Sequence, residues 1–438
     1  MRLGTDSQPE RAEPVAGGVV LDALRPSGIV PCEQTKAAGP RVLSLCCVYP
    51  NPSQPRQGLF VQRRLQALAE LTDVMVVSPV AIVQYGNPKG KRLRLGQRLI
   101  PSKQQNGRFT VLYPRWFYPP FSGVAAIWLF FRLVFALVRI RKEFAFEVID
   151  THFGYPEGIA GALLSSTLGI PFTMTFRGNE PKHSASRIGR FWMGWAVRRA
   201  SRIFAVSERL RQFAIGQGAR PEKVKTIPNG IDPDVFSPRD RSASRIKHGL
   251  PLDRQIVLSA GALVERKGHH RVIEALRSMV TKESVVQLVI VGGAGPEGQY
   301  ERKLRDLVSN LGLESAVRFL GPISEETMAE VMSAADVVCL ASTNEGWPNV
   351  VHEALACGIP VVATDVGAVP DMLGGGRFGL IVPVNDRSAL EYALTEALRR
   401  DWDRQAISAW GRARSWAQVA SEVFAEMQAL LNGRKTEV

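Results

Sequence analysis

The chain has 438 residues, of which 45% are apolar and 22% charged, so it can form two domains with buried cores and is too apolar to be disordered throughout. Its five cysteines include no C-x-x-C pair, which argues against a disulfide framework or a zinc ribbon and favours a reducing compartment. The net charge of +14 is uneven, because residues 1–225 sum to +18 and residues 226–438 to −4. This excess favours an anionic partner for the first half.

The first 40 residues predict a disordered leader, since they are rich in Pro, Gly and Ala without a period. They lack the apolar core of a secretory signal, so we expect a cytoplasmic protein. Order is predicted to begin at Arg41, with a buried strand over 42–48 and a helix after Gly58. The basic stretch 84–108 is predicted to be a loop.

An aromatic and basic segment follows, within residues 84–142. The stretch 81–142 has twelve basic residues and no acidic one, and 116–138 holds eight aromatic rings. Prolines and a glycine interrupt it and Arg132 lies inside, so it is too short to span a bilayer. Two interpretations remain open: a segment lying on an anionic membrane surface, or a helix packed on the first sheet. We find no nucleic-acid-binding motif and expect no nucleic-acid partner.

Strands and helices alternate from residue 148 onward, which predicts an α/β protein with parallel sheets and crossover helices on both faces. Two such sheets predict two Rossmann-like domains, over 41–230 and 231–405, joined at a proline-rich stretch. Asp232 and Asp234 form a D-x-D in this junction, where a turn is the expected role. No His or Cys cluster has metal-ligand spacing, so we expect no metal site.

Two glutamates flank the start of a predicted helix in the second half. Glu345 lies in the loop after a strand, and Glu353 lies one to two turns into a helix that begins near Asn349. The amides at a helix start form an anion site, and a carboxylate accepts hydrogen bonds from sugar or ribose hydroxyls. The signal is modest alone, because either glutamate can be a solvated surface charge.

Two further segments have the chemistry of a nucleotide site. Arg266 and Lys267 form a basic turn before a helix, where a cation can neutralise a leaving diphosphate, or where the charges are merely solvated. Residues 292–298 contain G-x-G-x-x-G, but Arg318 stands where a dinucleotide fingerprint needs an acid, so a nicotinamide site is weakly supported. His152 follows the strand that ends at Asp150, a position suited to a ligand crevice, although a lone loop histidine is usually inert.

Taken together, these segments resemble the retaining glycosyltransferases of family four, the group 1 glycosyl transferases, over roughly residues 41–430. The span from Glu345 to Glu353 matches the family's E-x7-E signature. Residues 261–268 match its phosphate-binding turn, with Ala262 where the family has arginine. The resemblance implies that the two Rossmann-like domains face each other across a cleft (GT-B) and that C-terminal helices over 406–438 return to the first domain.

The resemblance also implies roles for individual residues. The implied catalytic residues, at the donor sugar and leaving group, are His152, Lys267 and Glu345. The implied donor-binding residues are Gly58, Arg266, Gly292, Gly293, Gly295, Asn349, Val350, Val351 and Glu353. Arg177 and Glu180, in a segment similar to the family's R-G-x-D, are implied on the acceptor side.

The implied activity is a glycosyltransferase of hexosyltransferase type that needs no metal or other cofactor. It would move a sugar, with retention, from a nucleotide-diphosphate sugar to a glycan or lipid-linked acceptor. The expected setting is cell-surface polysaccharide biosynthesis, with the protein peripheral at the cytoplasmic membrane face. The alternatives are a nucleotide-sugar epimerase on a similar fold, a nicotinamide oxidoreductase and a non-catalytic sugar-binding protein.

Overall fold

The computed structural model describes residues 39–85, 91–93, 99–118, 124–280, 286–294 and 300–435. The predicted leader, apart from its last two residues, and Gly295 lie outside these ranges. The first half contains strands β1 Val42–Leu45, β2 Val74–Val77, β3 Val80–Tyr85, β4 Lys91–Leu93, β5 Lys103–Asn106, β6 Phe109–Leu112, β7 Arg115–Tyr118, β8 Val148–Thr151, β9 Phe172–Phe176, β10 Arg202–Ala205 and β11 Val224–Thr226. Its helices are α1 Leu59–Ala69, α2 Ala125–Glu143, α3 Ile159–Leu168, α4 Glu180–His183, α5 Arg187–Arg199 and α6 Glu208–Gly216.

The second half contains strands β12 Gln255–Ala260, β13 Val286–Val291, β14 Val317–Gly321, β15 Val337–Leu340, β16 Val361–Thr364 and β17 Gly379–Val382. Its helices are α7 Arg241–Lys247, α8 His269–Met279, α9 Tyr300–Asn310, α10 Glu325–Ala334, α11 Asn349–Ala356, α12 Val369–Met372, α13 Arg387–Arg399, α14 Arg404–Arg412 and α15 Trp416–Lys435.

Two parallel sheets organise the molecule. The first has the order β11-β10-β9-β8-β1-β2-β6-β5 and is parallel except for β5 at its edge. The second has the order β14-β13-β12-β15-β16-β17 and is parallel throughout. Strand order reverses between β1 and β8 in the first sheet and between β12 and β15 in the second. Ligand crevices in open α/β sheets form outside the carboxyl ends of strands at such reversals.

Helices cover both faces of each sheet, because strands buried on both sides need apolar cover on both. In the first unit, α2, α3, α5 and α6 contribute to the core on one face, and α1 and α15 to the core on the other. In the second unit, α8, α9 and α13 lie on one face and α10, α11, α12 and α14 on the other. The predicted fold class, two Rossmann-like α/β units with helices on both faces, is confirmed.

The basic stretch differs from the loop predicted over 84–108. A small sheet of order β4-β3-β7 forms beside the main one, and β5 and β6 pair as an antiparallel hairpin. Backbone pairing holds the polar strand β5, so its composition gave no sign of it. Among the described residues, no helix is long and apolar enough to cross a bilayer.

The C-terminal helices divide between the two units. Helix α14 packs on α11 of the second unit, whereas α15 packs on α1 of the first. The return to the first domain therefore begins at Trp416, ten residues after the predicted boundary at 406. Val423 and Met427 of α15 are fully buried in the first unit's core, so this helix joins the two halves through apolar packing.

Shortening a buried side chain of α15 should weaken the molecule more than changing an exposed one beside it. We expect Met427→Ala to lower the free energy of unfolding by about 2–5 kcal/mol, through lost burial and a cavity. The exposed neighbour Gln428 provides the control, and Gln428→Ala should stay within about 0.5 kcal/mol of the parent. Urea unfolding followed by fluorescence measures both; equal stabilities would mean that α15 does not contribute to the core.

Candidate active site

The two units meet through backbone at the floor of a cleft. Gly178 has a φ of 117°, and a Cβ built there would lie 2.7 Å from the Gly346 nitrogen. A Cβ on Gly346 would lie 2.0 Å from the carbonyl oxygen of Arg177. Both positions therefore need glycine for the loops to meet. The contact places Arg177 and Glu345, each adjacent to one of these glycines, at the same cleft.

His152 lies at the reversal between β1 and β8 and is completely buried. Its Nε2 is 2.9 Å from Ser44 Oγ and 3.2 Å from Asp150 Oδ2, and its Nδ1 is 3.2 Å from Arg177 Nη2. Since a guanidinium only donates, Nδ1 accepts and a neutral ring carries its proton on Nε2. Burial lowers the pKa of His152 to about 4, so the ring is neutral at pH 7.

This arrangement places His152 beneath Arg177 and away from the open cleft. The ring's two nitrogens already have partners, so the structure gives it the contacts of a residue that positions Arg177. These contacts do not include the direct sugar contact that the resemblance implies, so that role stays a prediction.

A buried ion pair between Arg64 and Asp150 supports the histidine. Arg64 Nη2 donates to Asp150 at 3.2–3.3 Å and Nη1 to Thr175 Oγ1 at 2.6 Å. Burial alone would raise the pKa of Asp150, but Arg64 and His152 outweigh it and hold the pKa well below its usual range. Sequence reasoning missed Arg64, although its position on the buried stripe of α1, three residues after Val61 and four before Leu68, is a signal for a paired core cation.

Arg177 places a positive charge at the cleft. Among the described residues, no carboxylate is bonded to its guanidinium. Nη1 donates to Asn229 Oδ1 at 3.0 Å, the guanidinium carbon lies 5.0 Å from the centre of the Phe60 ring, and Nε is buried without a partner. Burial lowers the pKa of Arg177 to about 9, which still leaves it charged at pH 7. The residue is therefore a charged donor that an anionic ligand would satisfy.

Glu180, implied on the acceptor side, faces the backbone instead. Its carboxylate accepts from the amides of Gly154 at 3.2 Å, Arg177 at 3.1–3.2 Å and Gly178 at 2.7 Å. The side chain is almost fully buried, and burial raises its pKa. Glu180 therefore fixes the loop that carries Arg177, and it would affect an acceptor only through that loop.

The opposite wall lies at the reversal between β12 and β15 and centres on Glu345. Its Oε1 accepts from Lys267 Nζ at 2.7 Å and from Ser342 Oγ at 2.8 Å, and Arg266 Nη1 lies 3.3 Å away. Burial alone would raise the pKa of Glu345, but Lys267 and Arg266 outweigh it and keep the pKa below its ordinary value. The carboxylate is therefore ionised, and it holds the cations of Lys267 and Arg266 at the cleft.

Arg266 does not lie where the family's arginine would be at Ala262. Its Nη1 also donates to the carbonyl of Asn344 at 2.8 Å, and its side chain is about half exposed at the rim, with a relative exposure of 47%. Lys267 has a relative exposure of 16% and is the better enclosed cation. Lys267 is therefore the better placed of the two for the phosphate contact that the resemblance implies.

The glycines implied in donor binding permit close backbone approach. Gly58 has a φ of 75° at the start of α1, and a Cβ there would lie 2.3 Å from the Val48 carbonyl oxygen. A Cβ on Gly292 would lie 1.8 Å from the carbonyl oxygen of Gly261, so the two loops of the second unit pack backbone to backbone. The carbonyl of Gly293 accepts from Leu263 N at 3.0 Å, which ties its loop to the turn over residues 261–268. Gly295 is not among the described residues.

Helix α11 begins at the cleft with Asn349, whose Oδ1 accepts from Asn229 Nδ2 at 3.0 Å across the two units. The amide of Val351 donates to Pro348 O at 3.0 Å, and its side chain is buried, so the implied anion contact falls to the helix start at Asn349 and Val350. Asn349 also lines a cavity of about 190 Å³ together with Gly58, Phe60 and Glu353.

Burial and the charge of Glu325 raise the pKa of Glu353 to about 7.

Models of two families match this chain. "Glycosyltransferase Family 4" matches residues 61–235 and "Glycosyl transferases group 1" matches residues 240–414. The chain is 31% identical over 339 residues to a D-inositol 3-phosphate glycosyltransferase of Nocardioides sp., covering 70% of this chain and 73% of that protein. It is 27% identical to the putative teichuronic acid biosynthesis glycosyltransferase TuaC of Bacillus subtilis, covering 90% and 95%. Anabaena HepE, solved with UDP-glucose, has a similar fold with a TM-score of 0.64 at 22% identity, covering 91% and 100%.

Removing one partner of the buried pair beneath His152 should destabilise the first unit. We expect Arg64→Met to lower the free energy of unfolding by about 3–5 kcal/mol, because Asp150 is left buried without its counter-ion. Arg220, on the surface with Glu222, offers a matched control, and Arg220→Met should change stability by less than about 1 kcal/mol. Urea unfolding measures both variants, and an unchanged midpoint for Arg64→Met would show that the pair is dispensable.

Proposed function

This chain belongs to the group 1 glycosyl transferases and is a hexosyltransferase-type enzyme, and on that premise we propose that it takes its sugar from a nucleotide-diphosphate sugar. One observation carries the proposal: Lys267, Arg266 and Arg177 bring three cations from two facing walls to one cleft. A diphosphate is an anion that these three cations can bind. The UDP-glucose bound by Anabaena HepE makes a uridine diphosphate sugar the first donor to test.

The donor sits mainly on the second unit in this proposal. Lys267 neutralises the leaving diphosphate, and the amides at the start of α11 contribute their partial positive charge. Glu345 holds Lys267 in place and lies against the donor sugar. The ribose hydroxyls donate to the carboxylate of Glu353. No metal is needed, since side-chain cations and helix amides neutralise the charge that develops on the leaving group.

The acceptor lies against the first unit, beside Arg177. Attack comes from the face of the leaving group, so the anomeric configuration is retained without an enzyme nucleophile. Similarity to TuaC along 90% of the chain supports a role in cell-surface polysaccharide biosynthesis. We place the enzyme at the cytoplasmic face of the membrane, where its basic first half would meet anionic lipid.

Changing Lys267 tests the proposed donor chemistry. The nucleotide sugar is chosen by thermal shift among UDP-glucose, GDP-mannose and ADP-glucose, since a true donor stabilises the fold by mass action. With that donor and a lipid extract as acceptor, we expect Lys267→Met to lower the release of nucleoside diphosphate by about 10²- to 10³-fold, because one leaving-group cation is lost.

Lys303→Met, the same change on the exposed face of α9, provides the control and should keep full turnover. The proposal fails if no nucleotide sugar stabilises the protein, or if Lys267→Met turns over like the control.

The raised pKa of Glu353 predicts pH-dependent donor binding. Below a pKa of about 7 the side chain is protonated and is a poorer acceptor for ribose hydroxyls, so affinity for UDP-glucose should rise with pH through about 7 and then level off. The change cannot exceed tenfold per pH unit below the pKa, because a single proton is involved. UDP-glucose is the suitable probe because its diphosphate diester does not titrate in this range. Glu353→Gln should bind more weakly at pH 8 and show a flat profile; an unchanged slope in that variant would assign the titration to another group.

A further inference from the structure

Helix α2 presents a row of exposed aromatic rings. Its inner face is buried on the first sheet, while Trp128, Phe131 and Phe135 have relative exposures of 53%, 61% and 76%. These residues repeat at helical spacing along one outward stripe. Soluble proteins rarely leave a continuous aromatic stripe in water, so this face indicates contact with another surface.

Helix α5 presents a second apolar surface, which the sequence analysis did not single out. Ile188 and Phe191 have relative exposures of 63% and 62%, and Trp192 and Trp195 are half-buried behind them. The helix has four arginines and no carboxylate. It therefore combines exposed apolar side chains with an unbalanced positive charge.

Both helices lie in the same layer of the first unit. Helix α3 packs against α2 and against α5, and all three contribute to the core on one face of the sheet. Crossover helices run opposite to parallel strands, so α2 and α5 each begin near the carboxyl ends of the strands, which is the side of the cleft. The stripe of α2 and the apolar residues of α5, namely Trp128, Phe131, Phe135, Ile188 and Phe191, form what we call the aromatic face.

The charges around the aromatic face are almost all positive, and this indicates an anionic partner. Exposed cations lie on both helices, at Arg139, Arg141 and Lys142 of α2 and at Arg187, Arg190, Arg198 and Arg199 of α5. Glu143, at the end of α2, is the single carboxylate within the two helices. A second copy of this chain would bring cations against cations, whereas an anionic bilayer accepts both the rings and the cations.

The aromatic face also lies close to an entrance of the cleft. Pro181 of α4 lines a cavity of about 350 Å³ that Glu345 and Asp365 of the second unit also line. Helix α5 begins at Arg187, six residues after Pro181. A molecule anchored in a bilayer beneath α5 would therefore have a short path past α4 to the reacting groups.

We propose that the aromatic face docks on an anionic bilayer and that the acceptor is a lipid-linked molecule, which enters the cleft from that bilayer past α4. The choice of acceptor rests on the proposed glycosyl transfer, while the docking does not. Docking concentrates enzyme and acceptor in one plane, so bilayer binding and turnover on embedded acceptor should fall together when the aromatic face is changed.

Vesicle sedimentation tests the docking. The wild-type chain should bind phosphatidylglycerol-containing vesicles at least tenfold more tightly than pure phosphatidylcholine vesicles. The double variant Ile188→Glu/Phe191→Glu should lose at least tenfold of that binding. The double variant Leu252→Glu/Tyr392→Glu, which makes the same change at exposed apolar residues of the second unit, should bind like the wild type. Unfolding temperatures equal to that of the wild type in both variants would show that the fold is intact, and an equal thermal shift with the selected nucleotide sugar would show that the donor site is intact.

Equal vesicle binding by both double variants would overturn the docking. A dimer in light scattering that the α5 variant dissociates, together with no vesicle binding by the wild type, would instead assign the face to a second copy. Failure of every nucleotide sugar to bind would remove the proposed activity and leave the vesicle result standing.

Turnover on lipid extract tests the route of the acceptor. With extract embedded in vesicles, Ile188→Glu/Phe191→Glu should lower kcat/KM at least tenfold, whereas with the same extract dispersed in detergent it should match the wild type. A loss of equal size in both preparations would mean that α5 acts on the active site itself, and no loss in either would rule out entry from the bilayer.

Discussion

Both sheets reverse their strand order at the cleft, and the candidate site depends on that reversal. The connection after β1 leads to α1 on one face of the first sheet, and the connection after β8 leads to α3 on the other face. The strand ends between them are left uncovered, and the same holds between β12 and β15. Backbone contact between Gly178 and Gly346 brings the two open crevices together. Side chains placed just after these strands therefore meet, whatever their distance in sequence.

The two walls compensate their buried charges in different ways. In the first wall Arg64 neutralises Asp150 and His152 is neutral, so the charge of Arg177 remains. In the second wall one carboxylate, Glu345, faces both Lys267 and Arg266. Each wall thus brings at least one cationic side chain to the cleft. The anionic diphosphate of the proposed donor would interact favourably with these cations.

The fold could be predicted from the sequence where local pattern decides it. The helix predicted after Gly58 forms as α1 from Leu59, because apolar residues repeat along its buried face. The hairpin of β5 and β6 could not be predicted in this way, since backbone pairing holds polar strands. In the site, Lys267 and Glu345 were identified through motifs, but their contact joins loops 78 residues apart. Asn229 was missed because only the packed fold shows what it touches. The position of Arg64 on the buried stripe of α1 indicates a buried cation, but its partner Asp150 is 86 residues away and is evident only in the fold.

The positive charge and most of the exposed large apolar side chains fall on the same half of the chain, and this division has a mechanical consequence. The first unit carries the aromatic face and the positive excess, whereas residues 226–438 sum to −4. With the first unit docked on a bilayer as proposed, the second unit stays in water. Polar contacts such as those of Arg63 with Asp232 and of Arg209 with Asp365 join the two units near the cleft. Because exposed ion pairs such as that of Arg209 with Asp365 contribute little stability, they would oppose a change in the spacing of the two units only weakly, while the apolar packing of α15 would keep the units joined.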